Sequence, residues 1–123
     1  MQPTLMPGDR LRVDPRAYRT RPPAAGEIVV VVDPEEPARW IVKRVAATGP
    51  GTWWRTAQGL VVAETKPPAD AVESVHLGPT ELWLVGDDLE RSRDSRRFGP
   101  VPLSTVVGRA LRIYAPTDRR REL

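Results

Sequence analysis

Apolar positions along the chain fall in short runs, at Ile28 to Val32, Leu60 to Ala63 and Leu82 to Val85, separated by clusters of proline and glycine. No stretch sustains the 3.6-residue period of an amphipathic helix for three turns, whereas β-branched residues recur in runs of strand length. The pattern predicts strands over Arg10 to Val13, Glu27 to Val32, Trp40 to Ala46, Thr52 to Arg55, Leu60 to Ala63, Glu81 to Val85 and Thr105 to Tyr114. The expected fold is a single mostly-β domain. Arg21-Pro22-Pro23-Ala24-Ala25-Gly26 and Asp33-Pro34-Glu35-Glu36-Pro37 read as connections between neighbouring strands, because proline fixes φ and removes a ladder donor. Lys66 to Thr80 reads as the longest irregular stretch, and the charged tail of residues 117–123 as disordered.

Composition narrows the class. At 123 residues the chain holds one core, and 40% hydrophobic residues argue against general disorder despite fourteen prolines. The net charge of +3 reflects arginines scattered along the chain and not gathered on one face with interleaved aromatics, so no nucleic-acid partner is expected. With no cysteine and one histidine, His76, neither a metal site, a cofactor nor a Ser-His-Asp triad is expected. No window approaches the ~20 apolar residues of a membrane span. Trp40, Trp53, Trp54 and Trp83 read as core or sheet-face packing residues, and the adjacent Trp53 and Trp54 must send one ring to each side of a strand, which leaves one of them as a candidate for a membrane surface against that commoner packing role.

Lys43 is the first residue that carries chemistry. In a strand, Ile41, Lys43 and Val45 share one face while Trp40, Val42 and Arg44 share the other, so Lys43 has apolar flankers. Burial lowers a lysine's pKa toward the range in which it accepts a proton. From the strand alone, an edge lysine reaching back to water is the commoner reading. Ser92-Arg93-Asp94-Ser95-Arg96 is a polar cluster after Gly86-Asp87-Asp88 and before Phe98-Gly99-Pro100-Val101-Pro102. Taken alone it is a solvated loop; its carboxylate and guanidinium could also brace it against a strand.

Four segments in order change that balance: Met1-Gln2-Pro3-Thr4-Leu5 with Gly8-Asp9, Ala25-Gly26-Glu27-Ile28-Val29-Val30, Val42-Lys43-Arg44-Val45, and Gly86-Asp87-Asp88 through Pro102. Together they resemble the boxes of the type I signal peptidase family, membrane-linked serine proteases with a Ser-Lys dyad. Self-cleaving repressors share that β-fold and dyad but lack anything like Ser92 to Pro102. The resemblance implies a catalytic domain over residues 1–116 in which Lys43 is the general base. Ser92 would orient its amine, Asp94 and Arg96 would form a bracing ion pair, and Gly86 and Asp87 would shape the turn that presents the site. Met1 and Pro3 would line the substrate cleft. Asp88 departs from the family's usual asparagine.

The family's nucleophile serine comes immediately before the methionine that matches Met1, after an apolar anchor. A translation start placed at an internal methionine codon, a trimmed fragment and a pseudoenzyme are the three accounts of this start, and the first is preferred because Lys43 and its supports still fit the pattern. On this reading the 123 residues alone are inactive. The implied partner is the signal peptide of an exported preprotein, cut at the extracytoplasmic face of the cell membrane. Alternatives are a soluble, cytoplasmic maturation protease of the same family, such as one trimming the propeptide of nickel-type superoxide dismutase, and a non-catalytic protein that binds extended peptides by strand addition.

Overall fold

A computed structural model describes residues 1–57, 59–62 and 66–123. The elements in chain order are β1 (Arg10–Asp14), β2 (Ile28–Val32), β3 (Trp40–Thr48), β4 (Gly51–Thr56), β5 (Gly59–Val62), β6 (Glu73–Leu77), β7 (Glu81–Val85), the single-turn helix α1 (Ser95–Phe98), β8 (Val101–Pro102), β9 (Val106–Ala115) and β10 (Arg121–Glu122). The larger sheet runs β1-β9-β2-β3-β7-β8, with β10 added on β9, and the smaller runs β5-β4-β6. Every pairing is antiparallel.

The valine-rich runs form strands because β-branched side chains pack well on a pleated surface. On one face of the large sheet Val29, Val31, Val45, Leu82, Leu84 and Val101 close into a core cluster. The second cluster, Ala47, Val75, Leu77 and Trp83, joins the two sheets. One chain feature serves both. The β3–β7 register shifts between Val45 and Ala47, and such a bulge moves a strand's later residues to the other face. Val45 therefore belongs to the first cluster and Ala47 to the second. Full burial of a valine or leucine contributes roughly 1.5–3 kcal/mol, so the first cluster readily offsets the several kcal/mol needed to hold a cation beside it.

Three sequence expectations need correcting. The supposedly irregular stretch contains β6, whose alternation of buried Val75 and Leu77 with exposed Ser74 and His76 gives β4 a partner. The tail expected to be disordered is tied down: β10 pairs with Ile113 and Arg112, and Arg119 makes a two-pronged ion pair with Asp9. Arg119, Arg120, Arg121 and Glu122, four of the charges that suggested fraying, have partners. Trp40, counted with the packing tryptophans, is 66% exposed where β3 begins, while Trp83 is 4% exposed and both Trp53 and Trp54 are half-buried. The strand expected over Leu60 to Ala63 is present as β5, and Ala63 lies outside the described residues.

Candidate active site

Lys43 sits mid-strand in β3, directly opposite Val29 of β2, and shares the face of Ile41 and Val45. Only 9% of it is exposed. On its other side β7 ends one step too early to pair with it: Arg44 opposes Val85, and continuing that register puts Gly86 beside Lys43. A Cβ on Gly86 would lie 3.4 Å from Lys43 Nζ and 2.0 Å from Ser92 Oγ. Glycine at 86 is therefore what lets the loop after β7 fold back onto the lysine.

That loop delivers Ser92. Its backbone turns through Ser92 N donating to Asp88 O at 2.9 Å, and Lys43 Nζ donates to Ser92 Oγ at 3.0 Å. The Ser92 side chain also lies near the Asp94 carboxylate and helps to hold it below its ordinary value. A serine has one proton to give. With its oxygen receiving from Lys43, Ser92 does not give that proton to the amine, and the lone pair of a neutral Lys43 stays free to accept a proton from elsewhere.

Asp94 is fully buried and fully used. It accepts from Gly86 N at 2.9 Å, from Arg96 N at 3.1 Å and from both Nε and Nη2 of Arg96 at 2.9 Å. The Arg96 N–H bond makes it the N-cap of α1. Burial alone would raise the Asp94 carboxyl, but hydrogen bonds from Arg96 and Gly86 outweigh it and hold the group below its ordinary value. Next to it, buried Ser95 accepts the N–H of Leu84 at 2.9 Å, which fastens α1 to β7. The Lys43 amine is lowered from its ordinary value, first by burial; Asp94 pulls it back up, and Arg93 and Arg96 push it down again. Desolvation and nearby guanidinium groups thus favour the neutral, proton-accepting amine.

Asp87 works on the opposite face of the same strand. It accepts from Arg44 Nε at 2.8 Å and Nη2 at 2.7 Å, and Thr4 Oγ1 donates to it from the chain's first segment. Arg44 Nη1 also donates to Gly26 O at 2.8 Å. Thr4 thereby docks residues 1–5 beside the end of β7. A hollow of roughly 340 Å³ results, lined by Met1, Gln2, Ile41, Lys43, Arg91 and Ser92 among others. Met1 also lines an adjoining hollow with Leu5, Met6, Leu11 and Val42.

Of the residues singled out from sequence, Lys43, Ser92, Asp94, Arg96, Gly86 and Asp87 thus form one connected group, and Met1 borders the hollow that contains Lys43. Pro3 does not. It is exposed and lines a neighbouring depression with Gln2, Asp87 and Leu89. His76 lies apart on β6, its Nδ1 3.0 Å from Thr52 Oγ1. Sequence reading missed three supports. Arg44 and Thr4 hold Asp87, and the fully buried Asp33 carboxylate takes Arg93 Nη1 at 3.0 Å and Nη2 at 2.6 Å. The Arg93 hydrogen bonds hold Asp33 well below the ordinary carboxylate range. Asp33 precedes a proline, so its turn signal masked its role as an anchor for the Ser92 loop.

A family model, "Signal peptidase, peptidase S26", matches residues 1–79 and 62–115. Subunit 1a of the mitochondrial ATP-independent inner membrane protease of Arabidopsis thaliana is 35% identical over 118 residues, covering 94% of this chain and 66% of that protein. The probable signal peptidase I-1 of Synechocystis sp. is 30% identical over 139 residues, covering all of this chain and 70% of that one. A crystal structure of a signal peptidase I from Enterococcus faecalis superposes with a TM-score of 0.55 at 18% identity, covering 72% of this chain and 97% of the other, and shares the fold. The chain spans about two thirds of the length of the curated relatives it matches. A mostly-β peptidase domain is the class these features define, and the chain belongs to the signal peptidase S26 family.

Proposed function

We propose that residues 1–116 form the catalytic domain of a signal peptidase I-type serine endopeptidase that removes signal peptides from exported preproteins at the extracytoplasmic face of a membrane. Lys43 is the general base. The neutral amine, held by Ser92, takes the proton of a serine hydroxyl presented at the Met1 end of the hollow, and the serine oxygen attacks the scissile carbonyl carbon. The protonated Lys43 then gives its proton to the leaving amine, and water hydrolyses the acyl-enzyme by the same exchange in reverse order. The observation that carries this reading is the buried Lys43 with its hydrogen bond to Ser92, behind a hollow bordered by Met1. It supplies the two things a lysine base needs, desolvation and a fixed direction. Among the described residues no helix is long and apolar enough to cross a membrane, so membrane contact in this proposal comes from the surface of the domain or from sequence beyond it.

The test uses a chain carrying serine immediately before Met1 and a preprotein peptide with small residues at the first and third positions before the cut. Cleavage is expected, with Lys43→Ala lowering kcat by at least ~100-fold and circular dichroism unchanged. Because Lys43 must be neutral to act, kcat/KM rises with pH through its pKa, and that limb lies below the ~10.4 of a free lysine. The 123-residue chain without the added serine binds the peptide and does not cut it. Full cleavage by Lys43→Ala removes Lys43 from the mechanism.

A further inference from the structure

A second hollow lies away from Lys43. It measures roughly 690 Å³ and lies at the far end of the large sheet, where β1, β9 and β10 meet, lined by Arg12, Arg112, Ile113, Tyr114, Arg120, Arg121 and Glu122. Four of these side chains are guanidinium groups.

The register makes their placement unusual. Arg12 of β1 and Arg112 of β9 stand directly opposite each other in the antiparallel ladder, and like charges so placed destabilise a sheet. Neutralisation within the chain is slight. Arg112 reaches only Glu122, at 3.8 Å, and that carboxylate is 79% exposed. Arg120 and Arg121 are turned onto main-chain oxygens, those of Tyr114 and Thr4. No ion pair involving Arg12 occurs among the described residues. Of the other arginines, Arg93 pairs with Asp33, Arg96 with Asp94, Arg119 with Asp9 and Arg44 with Asp87, while Arg10, Arg16 and Arg19 have no ion pair among the described residues but do not stand opposite another cation in a ladder. A local rule broken without internal compensation marks a site that something else completes.

We propose that this hollow binds a phosphate-bearing anion. Guanidinium groups present paired donors that match phosphate oxygens, and an oxyanion between Arg12 and Arg112 would turn their repulsion into a bridge. Tyr114, 44% exposed, adds a hydroxyl donor and an aromatic wall, and the buried Ile113 is the apolar member of the lining. The ligand is a phosphomonoester or phosphodiester, either on a lipid headgroup or free in solution. The site stands apart from the Lys43 hollow and does not depend on cleavage.

The test is co-sedimentation of the 123-residue chain with phosphatidylcholine vesicles containing phosphatidylglycerol, alongside thermal melting in glycerol phosphate. Arg12→Gln/Arg112→Gln is expected to weaken vesicle binding by ~30-fold, about fivefold per arginine removed. Arg16→Gln/Arg19→Gln, which removes the same charge outside the hollow, is expected to change it by less than ~3-fold. The pocket variant should melt no lower than the parent in the absence of ligand, because the opposed charges are gone. Binding to vesicles alone identifies a lipid surface as the source, and a glycerol phosphate-dependent rise in Tm, lost in the pocket variant, identifies a soluble ester. Equal losses in the two double variants would reduce the effect to diffuse charge and overturn the site. So would failure of both probes.

Discussion

Gly86→Ala puts one methyl group at the most crowded point of the candidate site. The added Cβ would lie 2.0 Å from Ser92 Oγ, 2.5 Å from Ser92 Cβ and 3.4 Å from Lys43 Nζ. The first two contacts require movement, and Ser92 has little room to retreat. Its N–H is held by Asp88 O at 2.9 Å, and Arg96 Nη2 fastens the same loop through Leu89 O at 2.8 Å. Overpacking costs ~1–3 kcal/mol. Loss of the Lys43–Ser92 hydrogen bond adds ~0.5–1.5 kcal/mol. Stiffening of the unfolded chain returns ~0.4–1 kcal/mol. The net expectation is a destabilisation of about 2 kcal/mol, which lowers a urea midpoint by about 1 M at a typical slope. Ser92→Gly removes both offending atoms, so in that background Gly86→Ala should cost less than ~0.5 kcal/mol. Urea melts of the parent, the two single variants and the double variant give the coupling directly. An equal cost of Gly86→Ala in both backgrounds would refute the idea that position 86 is small in order to admit Ser92.

Two further outcomes follow from the charges around the site. Asp87→Asn weakens the paired bonds from Arg44 and the bond from Thr4, so the Leu5 N–H, bonded to Met1 O, should exchange with solvent ~10-fold faster while amides of β2 keep their protection; unchanged exchange at Leu5 would mean that Asp87 does not hold the first segment. Acid should loosen the fold. The Glu27 carboxyl is held at about 2, chiefly by Arg21, Asp87 is lowered chiefly by Arg44, and Asp94 is lowered by Arg96 and Gly86 against its own burial. Each folded-state value lies below the unfolded one, so this stability is complete above the unfolded carboxylate range of ~4 and is lost as pH falls through the folded values. Urea midpoints are expected to hold down to about pH 5 and then fall steadily; a rise between pH 4 and 3 would contradict the assignment.

The chain order of strands was legible because each valine-rich run is bounded by proline or glycine, and the lysine stood out as a lone cation on the Ile41–Val45 face. The gathering of Ser92, Asp94 and Arg96 behind Lys43 could be anticipated only through family likeness, since a charged loop reads as solvated until something shows what it folds against. β6 escaped notice because five residues with two buried positions, Val75 and Leu77, give a faint period beside the prolines before them. The tail was misread for the opposite reason: its charges looked unpartnered, and Asp9, the partner of Arg119, lies 110 residues away. Long-range pairing of that kind leaves no local signal.

The part of the site that sequence could least reveal is the one that fixes it. Lys43 and Arg44 are neighbours that point to opposite faces of β3, and Gly86 and Asp87 are neighbours that continue β7 alongside them. The first pair of positions meets as lysine beside glycine, with Ser92 drawn in between; the second meets as arginine on aspartate, with Thr4 added from the first segment. Because side chains alternate with a period of two, slipping β3 against β7 by one residue would turn Lys43 to the Thr4 side and bury Arg44 against the core. The Arg44–Asp87 pair, with side chains 33% and 15% exposed, is two-pronged and largely shielded from water. Its effect is to make the wrong register cost two misplaced cations, so that the segment beginning at Met1 and the amine of Lys43 arrive at one hollow from opposite faces of a single strand.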